Sequence, residues 1–82
     1  MITKYFYTYV LKSKKDGKLY IGWTDNIQKR IEKHNKGLVK ATKYRRPLTL
    51  IYFEGSLNKY KAINREKQLK TGFGRFYISK RI

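Results

Sequence analysis

Residues 5–23 read Tyr5-Phe6-Tyr7-Thr8-Tyr9-Val10-Leu11-Lys12-Ser13-Lys14-Lys15-Asp16-Gly17-Lys18-Leu19-Tyr20-Ile21-Gly22-Trp23. Tyr5 to Lys12 is rich in aromatic and β-branched residues, which fit a pleated surface. It is apolar on both alternations, the pattern of a central strand covered on both faces. Ser13 to Lys18 then supplies a turn, in which Asp16-Gly17 tolerates the positive φ of a tight hairpin. Leu19 to Trp23 returns as a second strand. Leu19, Ile21 and Trp23 share one face of it, with Tyr20 and Gly22 on the other.

The rest of the chain builds outward from this hairpin. Asp25 is the expected N-cap of a first helix, with Gln28 three residues on, as in a capping box. Ile27, Ile31, His34 and Leu38 form its apolar stripe, and Gly37 its stop. Lys40 to Arg46 is basic and reads as a loop or a short helical turn. Pro47 restricts Arg46 to extended geometry and marks a boundary. Leu48 to Glu54 is a third strand, with Leu48, Leu50 and Tyr52 alternating against Thr49, Ile51 and Phe53. A second helix is expected from about Asn58 to Lys70, stopping at Gly72. Phe73 to Ile82 is expected to form a short last helix on the sheet. The order predicts an α+β fold: one domain over residues 1–82, with a central three-stranded antiparallel sheet flanked by helices.

Charge narrows the partner. Twenty-one Lys and Arg face five Asp and Glu, a formal +16. Such a chain attracts polyanions, and nucleic acid is the commonest of these. There is no cysteine, which excludes disulfides and thiolate metal sites. The sequence from Met1 to Tyr5 lacks the apolar run of a signal peptide, and no stretch approaches the ~20 apolar residues of a membrane span. The expectation is a cytoplasmic protein with no membrane partner.

Among candidate site residues Glu66 stands out. Ala62, Glu66 and Leu69 fall at i, i+4 and i+7, so the carboxylate lies inside an apolar stripe and needs a counter-charge. An ion pair with Lys or Arg and a hard divalent metal serve equally well. Asp16, Asp25, Glu32 and Glu54 look turn-, cap- or surface-placed, too few and too scattered for a two-metal cluster, so one metal is the consequence. Arg30 and His34 share a face of the first helix, and a guanidinium leaning over the sheet could clamp a phosphate. For either residue alone, a solvated arginine or a packing histidine is the bland reading. Tyr9 and Tyr20 are brought side by side by the hairpin, with Gly22 on the Tyr20 face marking a close approach. Pattern alone makes them ordinary strand tyrosines.

Tyr7-Thr8-Tyr9, then ten residues, then Tyr20-Ile21-Gly22, followed by Arg30 on one helix and Glu66 on another, resembles the GIY-YIG nuclease superfamily. Gly22-Trp23-Thr24-Asp25-Asn26, His34-Asn35 with Gly37, and Asn64-Arg65-Glu66 are similar to small stand-alone members related to the amino-terminal nuclease module of UvrC. The first motif departs from the family name in carrying Tyr7 where it has Gly. The resemblance implies a metal-dependent DNA endonuclease, structure-directed or weakly sequence-specific, of a kind used in DNA repair. It implies one Mg²⁺ or Mn²⁺ held by Glu66, and Arg30 neutralising charge on the phosphate. Tyr9 or Tyr20 would orient or deprotonate the attacking water, and His34 would relay a proton. Gly22, Lys43, Arg65 and Lys70 are the expected nucleic-acid contacts. DNA is the expected partner, with RNA not excluded. The rival readings are a non-catalytic nucleic-acid-binding module and a basic ribonucleoprotein component.

Overall fold

The computed structural model describes residues 4–82; Met1, Ile2 and Thr3, part of the stretch expected to lack a signal peptide, lie outside the described residues. The hairpin forms as its sequence demands. β1 (Phe6–Ser13) and β2 (Leu19–Thr24) pair antiparallel, with Tyr9 opposite Gly22. Gly17 takes φ +72° at the turn, and the Ser13 hydroxyl accepts from the backbone of Lys15 and Asp16. β3 (Leu48–Ser56) pairs antiparallel with the other side of β1, giving the order β2-β1-β3. β1 is thus the central strand, and Tyr9, Val10 and Leu11 are all buried.

The sheet separates two small cores. On one face Val10 and Ile21 pack with Leu69 and Ile78; on the other Tyr9, Leu11 and Leu48 pack with Tyr20, Ile31 and Leu50. One strand breaks the expected alternation. Val10 pairs with Tyr52 but Leu11 pairs with Leu50, so Ile51 is an extra residue in β3. A bulge of this kind flips every side chain beyond it. Leu48 and Leu50 therefore face one core, while Tyr52 packs on the opposite one.

α1 (Ile27–Asn35) starts one residue later than expected. Asn26, not Asp25, is the N-cap, accepting from the Lys29 amide. The Thr24 hydroxyl accepts from the Asn26 amide and sets that start, while Asp25 turns outward to Lys4 at 3.1 Å. Gly37 at φ +77° ends the helix. The Leu38 amide reaches back to the Lys33 carbonyl, and the Gly37 amide to that of His34, the paired bonds of a Schellman end. Leu38 falls beyond that reversal and is exposed instead of continuing the stripe. Residues 39–45 form consecutive turns without a helix, and the Arg46-Pro47 peptide is cis.

α2 (Lys59–Leu69) is capped by Asn58, which accepts from Tyr60 and Lys61. Gly72 does not stop α2. Thr71 caps a new helix there, α3 (Gly72–Ser79), and Gly72 is its first residue. α3 packs through Ile78, leaving Phe73, Phe76 and Ile82 exposed. The α2–α3 corner is tight enough that a Cβ on buried Gly74 would collide with the Leu69 carbonyl. Backbone cannot yield there as a flexible side chain would, so Gly74→Ala is expected to lower stability by about 1–3 kcal/mol, the usual cost of overpacking. Urea denaturation measures it; unchanged stability would mean that the corner gives way freely.

Candidate active site

The site is built on the face of the sheet that carries α1. Tyr9 and Tyr20 both project there, their ring centroids 6.4 Å apart. The His34 ring lies edge-on to both, at 5.8 Å from Tyr9 and 4.9 Å from Tyr20. His34 Nε2 is 2.9 Å from the Tyr9 hydroxyl, and Nδ1 is 2.6 Å from the Thr42 hydroxyl. Arg30, one turn before His34, donates from Nε to the same Tyr9 oxygen at 3.3 Å. The helical spacing of Arg30 and His34 and the strand pairing of Tyr9 and Tyr20 thus converge four of the five expected catalytic residues.

Gly22 explains how they fit. A Cβ built on it would lie 2.5 Å from the Tyr9 hydroxyl, so the close approach anticipated at this glycine is made by Tyr9 from the neighbouring strand. Gly22 is itself buried, which leaves no room for a nucleic-acid contact. Gly22→Ala is expected to push the Tyr9 hydroxyl off both His34 and Arg30, destabilising the domain by about 1–3 kcal/mol. Thermal denaturation checks this, and a variant as stable as wild type would refute the packing.

Burial sets the protonation states. His34 is fully buried; that desolvation, with the Arg30 charge beside it, lowers its pKa from 6.5 to about 4. It is therefore neutral at pH 7. One of its nitrogens donates and the other accepts, so the Tyr9 and Thr42 hydroxyls take opposite roles. Between pH 6.5 and 4 the unfolded chain binds a proton that the native chain does not. Stability is consequently full above pH 6.5 and falls as the pH drops toward 4, by roughly 3 kcal/mol in all. Denaturation across that window should show the loss in wild type and a much flatter profile in His34→Gln. Equal slopes would assign the loss elsewhere. Burial likewise raises the Tyr9 pKa, although the Arg30 hydrogen bond pulls it down, so Tyr9 stays a phenol.

Glu66 lies on α2, which packs against β1 and β2 on the face of the sheet opposite α1. It is half-buried between Ala62 and Leu69, as the stripe predicted, and faces Lys70 at 3.5 Å. No hydrogen bond joins it to the tyrosine cluster among the described residues; its charge nevertheless contributes to raising the Tyr9 pKa. No group of three His, Cys, Asp or Glu side chains able to hold a metal occurs among the described residues. The lone Glu66 carboxylate could serve a hard divalent ion only with water and a substrate phosphate as the other ligands. The Lys70 contact is an i,i+4 pair worth about 0.3–0.5 kcal/mol.

Two expected nucleic-acid contacts lie elsewhere. Arg65 is engaged by Glu54, donating from Nε at 2.9 Å and from a terminal nitrogen at 3.0 Å, and it stacks over Tyr77. Glu54 is accordingly not a free surface acid. Burial pushes its carboxyl up, but Arg65 and the Tyr52 hydroxyl outweigh that and hold it below the usual carboxylate value. Lys43 is exposed on the turns after α1, over the Tyr44 ring. The sequence reading missed Thr42, which fixes His34, and took Asn35 only as part of a motif, whereas its amide pairs with both backbone groups of Leu48 and ties the end of α1 to β3. Nothing in the basic run around Thr42 signals its role; Asn35 at the helix end was the one visible hint.

Known proteins resemble this chain in sequence and in fold. A family model described as the GIY-YIG catalytic domain matches residues 5–79. A UPF0213 protein of Clostridium perfringens is 49% identical over 65 residues, covering 78% of this chain and 69% of its own. A UPF0213 protein of Staphylococcus saprophyticus is 48% identical over 66 residues, covering 79% of each. The solution NMR structure of a UPF0213 protein from Bacillus halodurans superposes with a TM-score of 0.57 at 29% identity, covering 93% of this chain and 83% of that one.

Proposed function

The chain belongs to the GIY-YIG catalytic domain family, and from that premise we propose that it is a metal-dependent endonuclease that hydrolyses phosphodiester bonds in DNA. The observation that carries the reading is the convergence of Tyr9, Tyr20, Arg30 and His34 over Gly22.

Each residue has a physical task. Nε of Arg30 donates to the Tyr9 oxygen, and Tyr20 also hydrogen-bonds the guanidinium. The guanidinium would pair with the non-bridging oxygens of the scissile phosphate as charge grows on them. Tyr9 is buried and held as a phenol, so it positions Arg30 and does not act on water. Tyr20 is half-buried and is the tyrosine that reaches solvent; its oxygen orients the attacking water. His34, with both nitrogens engaged, is a positioning residue that fixes Tyr9, not a proton relay. Glu66 would hold one Mg²⁺ or Mn²⁺, which supplies Lewis acidity at the phosphoryl group. Water's oxygen ends on phosphorus, the P–O ester bond breaks, and a proton ends on the leaving oxygen. Lys70 and Lys43 would meet backbone phosphates. Arg65, committed to Glu54, and buried Gly22 take no part in binding.

The Glu66–Lys70 ion pair favours one rival, a binding module that grips nucleic acid without cutting. End-labelled DNA incubated with the protein, with Mg²⁺ or Mn²⁺ and with EDTA, separates the two. Scission that requires metal supports the proposal; binding without scission under every condition assigns the module instead.

A further inference from the structure

Trp23 is the chain's single tryptophan, yet it joins neither core cluster. It sits half-buried near the end of edge strand β2, with the Lys59 ammonium 5.5 Å from its ring centroid. Beside it opens a cleft of about 440 Å³ lined by Trp23, Lys29, Arg30 and Lys33, with Asp25 at its wall. The Asp25 carboxylate is neutralised by Lys4, so the cleft is strongly cationic. Arg30 belongs to both places: its Nε rests on Tyr9, and its side chain lines this cleft.

We infer that this cleft holds an unpaired nucleobase stacked on Trp23, next to the scissile phosphate, so that the substrate carries a single-stranded segment there. The inference rests on the nucleic-acid reading above. An aromatic face among cations is the chemistry of single-strand binding: the base stacks, and the lysines follow its flanking phosphates. Lys29 and Lys33 lie one helical turn apart and are spaced for that task. A base within an intact duplex is already stacked on its neighbours and cannot present its face to an indole. Stacking of a base is stronger than an exposed cation–π contact, so the base displaces Lys59, which becomes another phosphate partner. Flaps, ends and single strands satisfy the cleft; a continuous duplex does not.

Trp23 also reports on its own occupancy. The experiment titrates the full chain, in EDTA so that nothing is cut, with an oligothymidylate, an oligouridylate and a blunt hairpin duplex of equal phosphate content. Indole emission and anisotropy are read together. The single strand is expected to quench Trp23 saturably, and the duplex to bind without quenching. Trp23→Ala should weaken single-strand binding roughly 5- to 100-fold, and Trp23→Phe should restore most of it. Quenching by oligouridylate also supports an unpaired base and identifies RNA as a source. The inference is overturned if duplex and single strand quench alike, or if Trp23→Ala binds the single strand as wild type does. Because no scission is involved, quenching without any nuclease activity leaves this site standing while the hydrolytic reading falls. Scission of single strands that ignores Trp23 does the reverse.

Discussion

Glu66→Gln is expected to reduce the rate of metal-dependent scission by about 10³-fold while leaving the fold intact. The size follows from the role. A Lewis acid at a phosphoryl group contributes several kcal/mol of charge stabilisation, and each 1.36 kcal/mol is about a tenfold change in rate. Glutamine keeps the shape of the side chain but carries no charge, and it is a weak ligand for Mg²⁺. Among the described residues only the ion pair to Lys70 is lost from the folded state, an i,i+4 contact whose removal costs a few tenths of a kcal/mol. Single-turnover cleavage of labelled DNA reads the rate, and a thermal melt reads the fold. Raising the metal concentration should recover part of the loss, as expected for a weakened ligand. A variant that cuts at the wild-type rate would remove Glu66 from the site.

Arg30→Ala should cost about 10²- to 10³-fold in rate, the usual effect of deleting one donor aimed at developing charge. It carries a second consequence that a simple phosphate clamp would not. Arg30 also donates to Tyr9, so its loss leaves the buried phenol with His34 alone. Arg30→Lys is expected to recover little, because an ammonium offers no fork to span a phosphate and Tyr9 together. Cleavage rates for both variants, set beside DNA affinity from anisotropy, check this. Full activity in Arg30→Lys would show that only charge matters at the position.

Much of this was legible in the residues because it depends on local periodicity. The hairpin at Asp16-Gly17, the helix stop at Gly37 and the partly buried Glu66 all follow from short-range pattern, and the structure has each in place. The features that escaped depend on contacts between distant segments. The Ile51 bulge is invisible in β3 alone, where Leu48, Leu50 and Tyr52 alternate without a break; only pairing against β1 exposes it. Asp25 and Asn26 are both good caps, and what chose Asn26 was the Thr24 hydroxyl, with Lys4 holding Asp25 outward. Arg65 read as a nucleic-acid contact, and neither segment alone shows that β3 brings Glu54 against it. Thr42 gave no sign of itself, because its role depends on a loop folding back over His34. Gly22 was recognised as a place of close approach, but the approaching group is a tyrosine of the next strand and not a ligand. In the site, Tyr9 and Tyr20 were equivalent on sequence; burial is what separates them, and the roles proposed for the two rest on that difference.

The central claim is that Tyr20, Arg30 and Glu66 form one hydrolytic centre. Its most direct test is a nicking time course on supercoiled plasmid with Mg²⁺, comparing wild type with Tyr20→Phe, Arg30→Ala and Glu66→Gln, with DNA affinity measured on the same preparations in EDTA. The account predicts metal-dependent nicking by wild type, severe loss in all three variants, and affinities in EDTA that change far less than the rates. Nicking at equal rates by all four proteins, or tight binding by wild type with no nicking, would contradict it.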